Sequence, residues 1–174
     1  LIQRVSSPGG TTEKALSVLE SGGIQTLFSK AIEAAKNRSQ EISASFKNVI
    51  AIASGVCEGL GYGFNTRAAL ITRGLAEMRR LGAGLHVEDA TFSGLSGLGD
   101  LVLTCTGDLS RNRMVGLKLG KGKCLNEIVK EMSMVAEGIK TTKAVHDLAA
   151  KLHIEMPITE QVYQILYKGK ACSK

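Results

Sequence analysis

The stretch GLSGLGDLVLTCTGDLSRNR, at residues 94–113, carries the clearest indications of how the chain folds. This stretch has glycines at positions 94, 97, 99 and 107. They permit tight turns and close approach between backbones. After the third glycine, an acidic and then apolar segment predicts a short helix over 100–106. Ser110 is a favourable N-cap, which predicts a second helix over 111–119.

The polar residues of this stretch also indicate a binding site. Arginine guanidinium groups, as at Arg111, match phosphate oxygens bidentately, and a carboxylate such as Asp100 accepts hydrogen bonds from hydroxyl groups. A helix start offers free N–H groups to an anion. These groups predict a site for a small polyhydroxy phosphate. The alternative is an aspartate cap followed by a solvated basic turn, which is the commoner meaning of such residues.

The rest of the chain predicts an all-α helical bundle without a sheet. Its long segments have apolar residues at a helical period and are separated by glycines, and there are only two prolines. Gly22-Gly23 and the GLGYG segment at 59–63 are expected to be breaks. The first predicted helix ends at Leu19 and is capped by Thr11 or Thr12. The helix at 66–81 is capped by Asn65. The other predicted helices cover residues 24–42, 47–59, 100–106, 111–119, 139–152 and 158–167.

Composition restricts the function classes. A length of 174 residues suits one domain, or one domain with an appended element. The net charge of +6 fits an anionic ligand, but no block of consecutive Lys and Arg indicates nucleic acid. No signal peptide and no apolar run near the length of a membrane span is apparent. Four cysteines without a CxxC spacing, and three scattered histidines, predict reduced thiols in a cytoplasmic protein and no metal site.

Three segments, in this order, carry a family resemblance: KNVIAIASGVCEGLGYGFNTRAALITRGLAEM, the stretch at 94–113, and VAEGIKTTKAV. From Lys47 to about Lys170 the chain resembles the C-terminal substrate domain of NAD(P)-dependent glycerol-3-phosphate dehydrogenase. The resemblance implies a helical bundle of the 6-phosphogluconate dehydrogenase type. It also implies dihydroxyacetone phosphate or sn-glycerol 3-phosphate as the small phosphorylated substrate, NAD or NADP as the cofactor, and a place in phospholipid biosynthesis.

The same resemblance assigns roles to individual residues. Lys47 corresponds to the family's general acid/base at the substrate's C2 oxygen, whereas a lysine at a helix end is otherwise usually solvated. SASF precedes it in place of the family's glycine-rich lead-in. Glu137 corresponds to a residue at the edge of the family's cofactor site, but it can equally be an acidic residue in the first turn of a helix, which is the commoner case. The implied substrate-binding residues are Asn48, Asp100, Thr104, Ser110, Arg111 and Asn112, and the implied cofactor-binding residues are Arg111, Val135 and Glu137.

Residues 1–46 carry a different resemblance. The segments SPGGTT, LESGG and AIEAAKNRS occur in the order found at the C-terminal end of pyrroline-5-carboxylate reductase. In that family the helices form an interlocked dimer, so a homodimer is implied. Ser7, Gly10, Thr11 and Thr12 match its substrate-contacting turn, although a helix-capping turn is the favoured interpretation here. The 24–42 helix is expected to bury Leu27, Ala31, Ile32 and Ala35, either against the dehydrogenase-like helices or against a second copy.

The two resemblances meet near residues 46–47, which indicates a chimera, engineered or recombined. The GLGYG segment is not a GxGxxG fingerprint, and no strand precedes it. A nicotinamide cofactor needs a strand–glycine loop–helix unit. We therefore expect this chain alone to bind no cofactor and to be inactive as the substrate half of an oxidoreductase. The alternative is a helical scaffold or dimerisation chimera without catalytic function.

Overall fold

The computed structural model describes residues 9–87, 89–132, 134 and 136–173, apart from the side chains of 35, 36, 38–40, 42–44 and 96. Every regular element in this part of the chain is helical, which confirms the all-α prediction. The α-helices are α1 (Thr11–Ser21), α2 (Ile24–Gly59), α3 (Phe64–Gly84), α4 (Ala90–Ser93), α5 (Asp100–Thr106), α6 (Arg111–Gly120), α7 (Leu125–Glu131), α8 (Glu137–Lys151) and α9 (Pro157–Lys168). One π-helical turn, Leu95–Gly99, precedes α5.

The chain divides into two compact units, with the boundary between Arg38 and Ser39. Unit 1 contains α1 and the first part of α2. It has no buried residue in α1. The predicted break at Gly22-Gly23 is confirmed, and Gly23 has a φ of +72°, a conformation that glycine adopts readily. Neither threonine caps α1, because Gly10 occupies the N-cap position.

The prediction that one helix ends at Ile42 and another begins at Lys47 is wrong. Both segments belong to α2, a helix of 36 residues. Residues 41–47, EISASFK, contain neither glycine nor proline, so nothing in the backbone interrupts the i to i−4 hydrogen bonds. Lys47 and Asn48 therefore lie inside a helix.

Unit 2 holds the hydrophobic core. The part of α2 after Phe46 runs through its middle, and Val49, Ile50, Ala51 and Ile52 are fully buried. Apolar residues of the other helices cover it, among them Met78, Leu81, Leu101, Val115, Ile128, Ile139, Val145 and Val162. Burial on all sides explains why this segment is apolar almost without interruption.

Glycines bring α2 and α6 into backbone contact. A Cβ on Gly116 would lie 1.9 Å from the backbone oxygen of Ile52, and one on Gly55 would lie 2.0 Å from that of Arg113. Gly59 and Gly120 repeat the contact about one turn further on. The spacing of four residues on both helices produces this stripe. It fixes α6 against residues 52–59, the last two turns of α2, which follow Lys47 and Asn48.

The short helices α4 and α7 were not predicted, whereas α3, α5, α6, α8 and α9 largely follow the sequence prediction. Their starts differ by up to two residues: α3 begins at Phe64 with Gly63, not Asn65, as its N-cap, and α8 begins at Glu137. Glu77 of α3 is an unpredicted buried carboxylate that accepts hydrogen bonds from the backbone N–H groups of Ile158 and Thr159, at 2.6 and 3.2 Å. No helix in the described ranges combines the length and hydrophobicity that a membrane crossing requires.

Candidate functional site

A cleft of about 660 Å³ opens at the surface of unit 2, and we call it the α2–α6 cleft. It receives residues from α2, α5, the loop before α6, the start of α6 and the start of α8. The sequence-predicted residues that line it are Lys47, Asn48, Thr104, Ser110, Arg111, Asn112 and Glu137. Segments as much as 90 residues apart in sequence therefore meet at one place.

Lys47, which lines this cleft, forms an ion pair with Asp100, which is not among the lining residues. The Nζ atom of Lys47 donates to Oδ2 of Asp100, and the two side chains are 24% and 35% exposed. Thr104, one turn further along α5, donates from Oγ1 to the backbone oxygen of Asp100 at 2.6 Å and lies 3.4 Å from its Oδ1. A solvent-accessible ammonium group is thus held in a defined position by a carboxylate on a neighbouring helix.

The start of α6 supplies two groups of different character. The prediction that Ser110 caps α6 is confirmed, since its Oγ accepts a hydrogen bond from the backbone N–H of Arg113 at 3.3 Å. Arg111 is exposed and makes no hydrogen bond or ion pair with the described residues. Its guanidinium group can therefore meet an anion without first breaking another contact.

Asn112 is buried and connects two helices. Its Oδ1 accepts a hydrogen bond from the backbone N–H of Gly138 at 2.8 Å. A Cβ on Gly138 would lie 2.6 Å from that oxygen and 2.9 Å from the backbone oxygen of Asn48, so only glycine fits between them. Asn112 and Asn48 therefore form the packed floor of the cleft, where α2, α6 and α8 meet.

The second arginine of SRNR, Arg113, has a different environment from Arg111. Its side chain is only 7% exposed and holds Glu58 of α2 through Nε and Nη2, at 3.0 and 2.8 Å. Its Nη1 atom contacts Asp108 Oδ1 at 3.2 Å and the oxygen of Gly107 at 3.4 Å. Arg113 ties the loop before α6 to α2, a role that the sequence analysis missed. The helical period does offer a signal, because Arg113 lies three residues before the buried Gly116.

Other predicted residues are not among those that line this cleft. Gly10, Thr11 and Thr12 belong to unit 1, at the start of α1. Ser7 and Val135 lie outside the described residues. Five lining residues were not predicted, namely Ser45, Leu103, Gly107, Asp108 and Leu109. Two of them are exposed leucines, Leu103 at 68% and Leu109 at 98%.

The cysteines offer no nucleophile to the cleft. Cys105 is on the buried side of α5, and burial raises the pKa of its thiol to about 12. It therefore stays protonated at neutral pH. All four cysteines are free, as predicted. Within the described ranges, no group of three His, Cys, Asp or Glu side chains is arranged to hold a metal ion.

Comparison with known proteins identifies relatives for both parts of the chain. The family model described as NAD-dependent glycerol-3-phosphate dehydrogenase C-terminus matches residues 37–174. The model described as pyrroline-5-carboxylate reductase dimerisation matches residues 1–42. The two matches overlap over residues 37–42, which all lie in α2.

Individual relatives agree with the longer match. Glycerol-3-phosphate dehydrogenase [NAD(P)+] of Desulfotalea psychrophila is 66% identical over 134 residues, which is 77% of this chain and 40% of that protein. The protein of the same name from Citrifermentans bemidjiense is 63% identical over 131 residues, 75% and 39% of the two chains. The crystal structure of glycerol-3-phosphate dehydrogenase from Coxiella burnetii superposes with a TM-score of 0.76 at 48% identity, over 78% of this chain and 42% of that one. The chain thus spans about two-fifths of the length of these curated relatives.

Proposed function

The chain belongs to the NAD-dependent glycerol-3-phosphate dehydrogenase family through that family's C-terminal domain, and from this we propose that the α2–α6 cleft binds the phosphorylated substrate. The observation that carries the proposal is the convergence of Lys47, Asn48, Thr104, Ser110, Arg111 and Asn112 on one cleft. The substrate is dihydroxyacetone phosphate or sn-glycerol 3-phosphate.

Each group has chemistry that suits a part of this substrate. Arg111 is exposed and unpaired with described residues, so we assign it to the phosphate, together with the N–H groups at the start of α6. The hydroxyl groups of the substrate are assigned to Thr104, Asn48 and Asn112. These polar atoms are anchored by hydrogen bonds or packing, which reduces the entropy lost when the substrate binds.

Lys47 is assigned as the general acid/base. Reduction of the C2 carbonyl requires a proton on its oxygen, and the Lys47 ammonium group donates it; in the reverse direction the amine accepts it. Asp100 is assigned the task of holding Nζ in place, because it is the carboxylate that the ammonium group contacts. Lys47 projects from inside a continuous helix, so its position is fixed by the backbone of α2.

The cofactor, NAD or NADP, supplies the hydride when it is bound. The residues of this chain assigned to its edge are Arg111, Glu137 and Val135, the last of which lies outside the described residues. In the described part of the chain no strand–glycine loop–helix unit is present to hold a dinucleotide. We propose that this chain by itself binds no cofactor and catalyses no hydride transfer.

The rim of the cleft supports the idea that a further domain covers it. Leu103 and Leu109 border the cleft and are 68% and 98% exposed. Apolar side chains at the edge of a polar cleft are suited to contact with another protein surface, and water would be excluded on closure. We assign that surface to a nucleotide-binding domain.

Unit 1 supports a second role, assembly. Leu27, Phe28 and Ile32 are each about two-thirds exposed, and the matching family model is one for dimerisation. We propose that these side chains are covered by a second copy, giving a homodimer.

We also propose that the chain is a chimera of two family segments and resides in the cytoplasm, where its four free thiols stay reduced.

Titration with glycerol 3-phosphate, followed by amide chemical shifts, tests the substrate proposal. The expected result is a saturable shift of the amides at Thr104, Arg111 and Asn112, with affinity reduced about tenfold or more in Arg111→Ala because a charge-assisted contact is lost. Lys14→Ala, an exposed lysine of α1, serves as the matched control and leaves the affinity unchanged. If no cleft amide moves in the unsubstituted chain, the scaffold alternative is favoured instead.

A further inference from the structure

A second cavity in unit 2 shares no lining residue with the α2–α6 cleft. It measures about 500 Å³ and lies between α2, α3, α9 and residues 170–172, and we call it the α3–α9 pocket. Small-molecule pockets typically range from about 300 to 1,000 Å³. The size is therefore sufficient for a ligand of some ten to twenty heavy atoms.

The interior of the α3–α9 pocket is apolar. Leu60, Leu70, Ile158 and Ile165 line it and are only partly buried, so each leaves apolar surface facing the cavity. Cys57 and Cys172 also line it, and burial raises the pKa of both thiols, which keeps them neutral at physiological pH. Binding an alkyl chain here would remove apolar surface from water on both sides.

The mouth of the pocket is cationic. Arg73 and Arg80 lie seven residues apart on α3 and therefore share one face of that helix. Both are exposed, and neither makes a hydrogen bond or ion pair with the described residues. Lys170, from the segment after α9, lines the same pocket and donates to Oε1 of Gln161.

Among the described residues, Glu77 is the one carboxylate on the pocket wall, and it does not neutralise these cations at the mouth. Glu77 is 1% exposed, and its two oxygens accept three hydrogen bonds from Ile158 and Thr159 at the start of α9. Its charge is therefore directed into the helix junction and away from an incoming anion. The pocket therefore combines an apolar interior with two guanidinium groups that have no ion-pair partner among the described residues.

We propose that the α3–α9 pocket binds an amphipathic anion with one alkyl chain, a fatty carboxylate. The chain occupies the apolar interior, and the carboxylate lies against Arg73 and Arg80, whose planar donor groups match its two oxygens. The proposal does not rest on the substrate assignment, since the two sites have no residue in common.

Three probe ions separate the contributions of head group and chain. Decanoate has both, butyrate has the head group without the long chain, and decyltrimethylammonium has the same chain with the opposite charge. Decanoate is expected to shift the amides of Leu60, Leu70 and Ile165 in a saturable manner. The other two ions are expected to bind with an affinity at least about tenfold lower than that of decanoate, because each lacks one of the two contributions.

Variants of the full chain then locate the site. Arg73→Gln together with Arg80→Gln is expected to weaken decanoate binding about tenfold and to leave decyltrimethylammonium binding no weaker. Ala76→Phe keeps the charges but fills the pocket from an exposed position, and it is also expected to weaken decanoate binding. Lys130→Gln together with Lys151→Gln, two exposed lysines of α7 and α8, is the charge-matched control. The amide spectrum outside the pocket reports whether each variant keeps its fold.

The proposal is overturned if decanoate and decyltrimethylammonium bind equally well, or if Ala76→Phe and the double arginine variant retain full affinity for decanoate. It is also overturned if the pocket amides shift with protein concentration in the absence of any probe ion. That result would assign the pocket to contact with a second copy of the chain.

Discussion

Units 1 and 2 both contain helices with apolar side chains at a helical period, but these side chains are exposed in unit 1 and buried in unit 2. In unit 1, Leu27, Phe28 and Ile32 lie along one helix and are all about two-thirds exposed. In unit 2, the apolar residues of the same helix, such as Ile50 and Ile52, are fully buried. Helical periodicity therefore identifies the apolar face of a helix but does not identify what covers it.

The difference assigns separate tasks to the two units. Unit 2 contains its own core and the entire α2–α6 cleft. In unit 1 the apolar side chains of Leu27, Phe28 and Ile32 are not covered by the described residues, and α1, with 11 residues, is of a length that is marginal without packing. We infer that unit 2 carries the binding chemistry and unit 1 the assembly.

The largest expected effect comes from the same substitution made once in each unit. Gly116→Ala in unit 2 places a Cβ 1.9 Å from the backbone oxygen of Ile52, so α2 and α6 must separate, at a cost of about 3 kcal/mol in unfolding free energy. Gly23→Ala in unit 1 meets open space and costs only about 1 kcal/mol, for its positive φ. Denaturant unfolding measures both. Equal effects would show that the helix contact is not rigid.

The next effect concerns the buried carboxylate of unit 2. Glu77→Gln replaces one accepting oxygen by an NH₂ group that faces backbone donors, and we expect a loss of about 2 kcal/mol. Glu20→Gln, on the exposed side of α1, should change stability by less than about 0.5 kcal/mol. Thermal unfolding of the two variants provides the comparison, and a Glu77 variant as stable as the control would be evidence against the α3–α9 junction.

These two predictions show where sequence information ends. The 3.6-residue period and the glycine breaks gave most helices within two or three residues, and seven of the site residues implied by the family resemblance line the α2–α6 cleft. The period could not show where Glu77 and Arg113 point, because their partners lie 81 and 55 residues away in sequence. The boundary at Ile42 was wrong because a change of family resemblance is not a change of backbone conformation.

A smaller effect is expected for Arg113, which positions the cleft loop. Arg113→Lys keeps the charge but cannot hold Glu58, Asp108 and the Gly107 oxygen together. We expect a stability loss of about 1 kcal/mol and glycerol 3-phosphate affinity about fivefold weaker, through a looser Arg111. Arg67→Lys, which removes a single contact with the same Glu58, is the control and should leave the affinity unchanged. Unchanged affinity in Arg113→Lys would make this arginine purely structural.

The smallest effect on the monomer comes from unit 1. Since Leu27 is exposed in the single chain, Leu27→Asp should change the unfolding free energy of the monomer by less than about 0.5 kcal/mol. In a dimer it places a charge in a packed interface and should raise the dimer dissociation constant by about tenfold or more. Gln25→Asp adds the same charge at an exposed polar position of α2. Sedimentation should show dissociation for Leu27→Asp alone.

The most direct test of the division of tasks is the dissociation constant of glycerol 3-phosphate for the chain carrying both Leu27→Asp and Ile32→Asp. Sedimentation of the same sample establishes that it is a monomer. The division predicts the same dissociation constant as in the unsubstituted chain, because every lining residue of the cleft lies in unit 2. Loss of binding together with the dimer would contradict it, since unit 1 would then be required for the site.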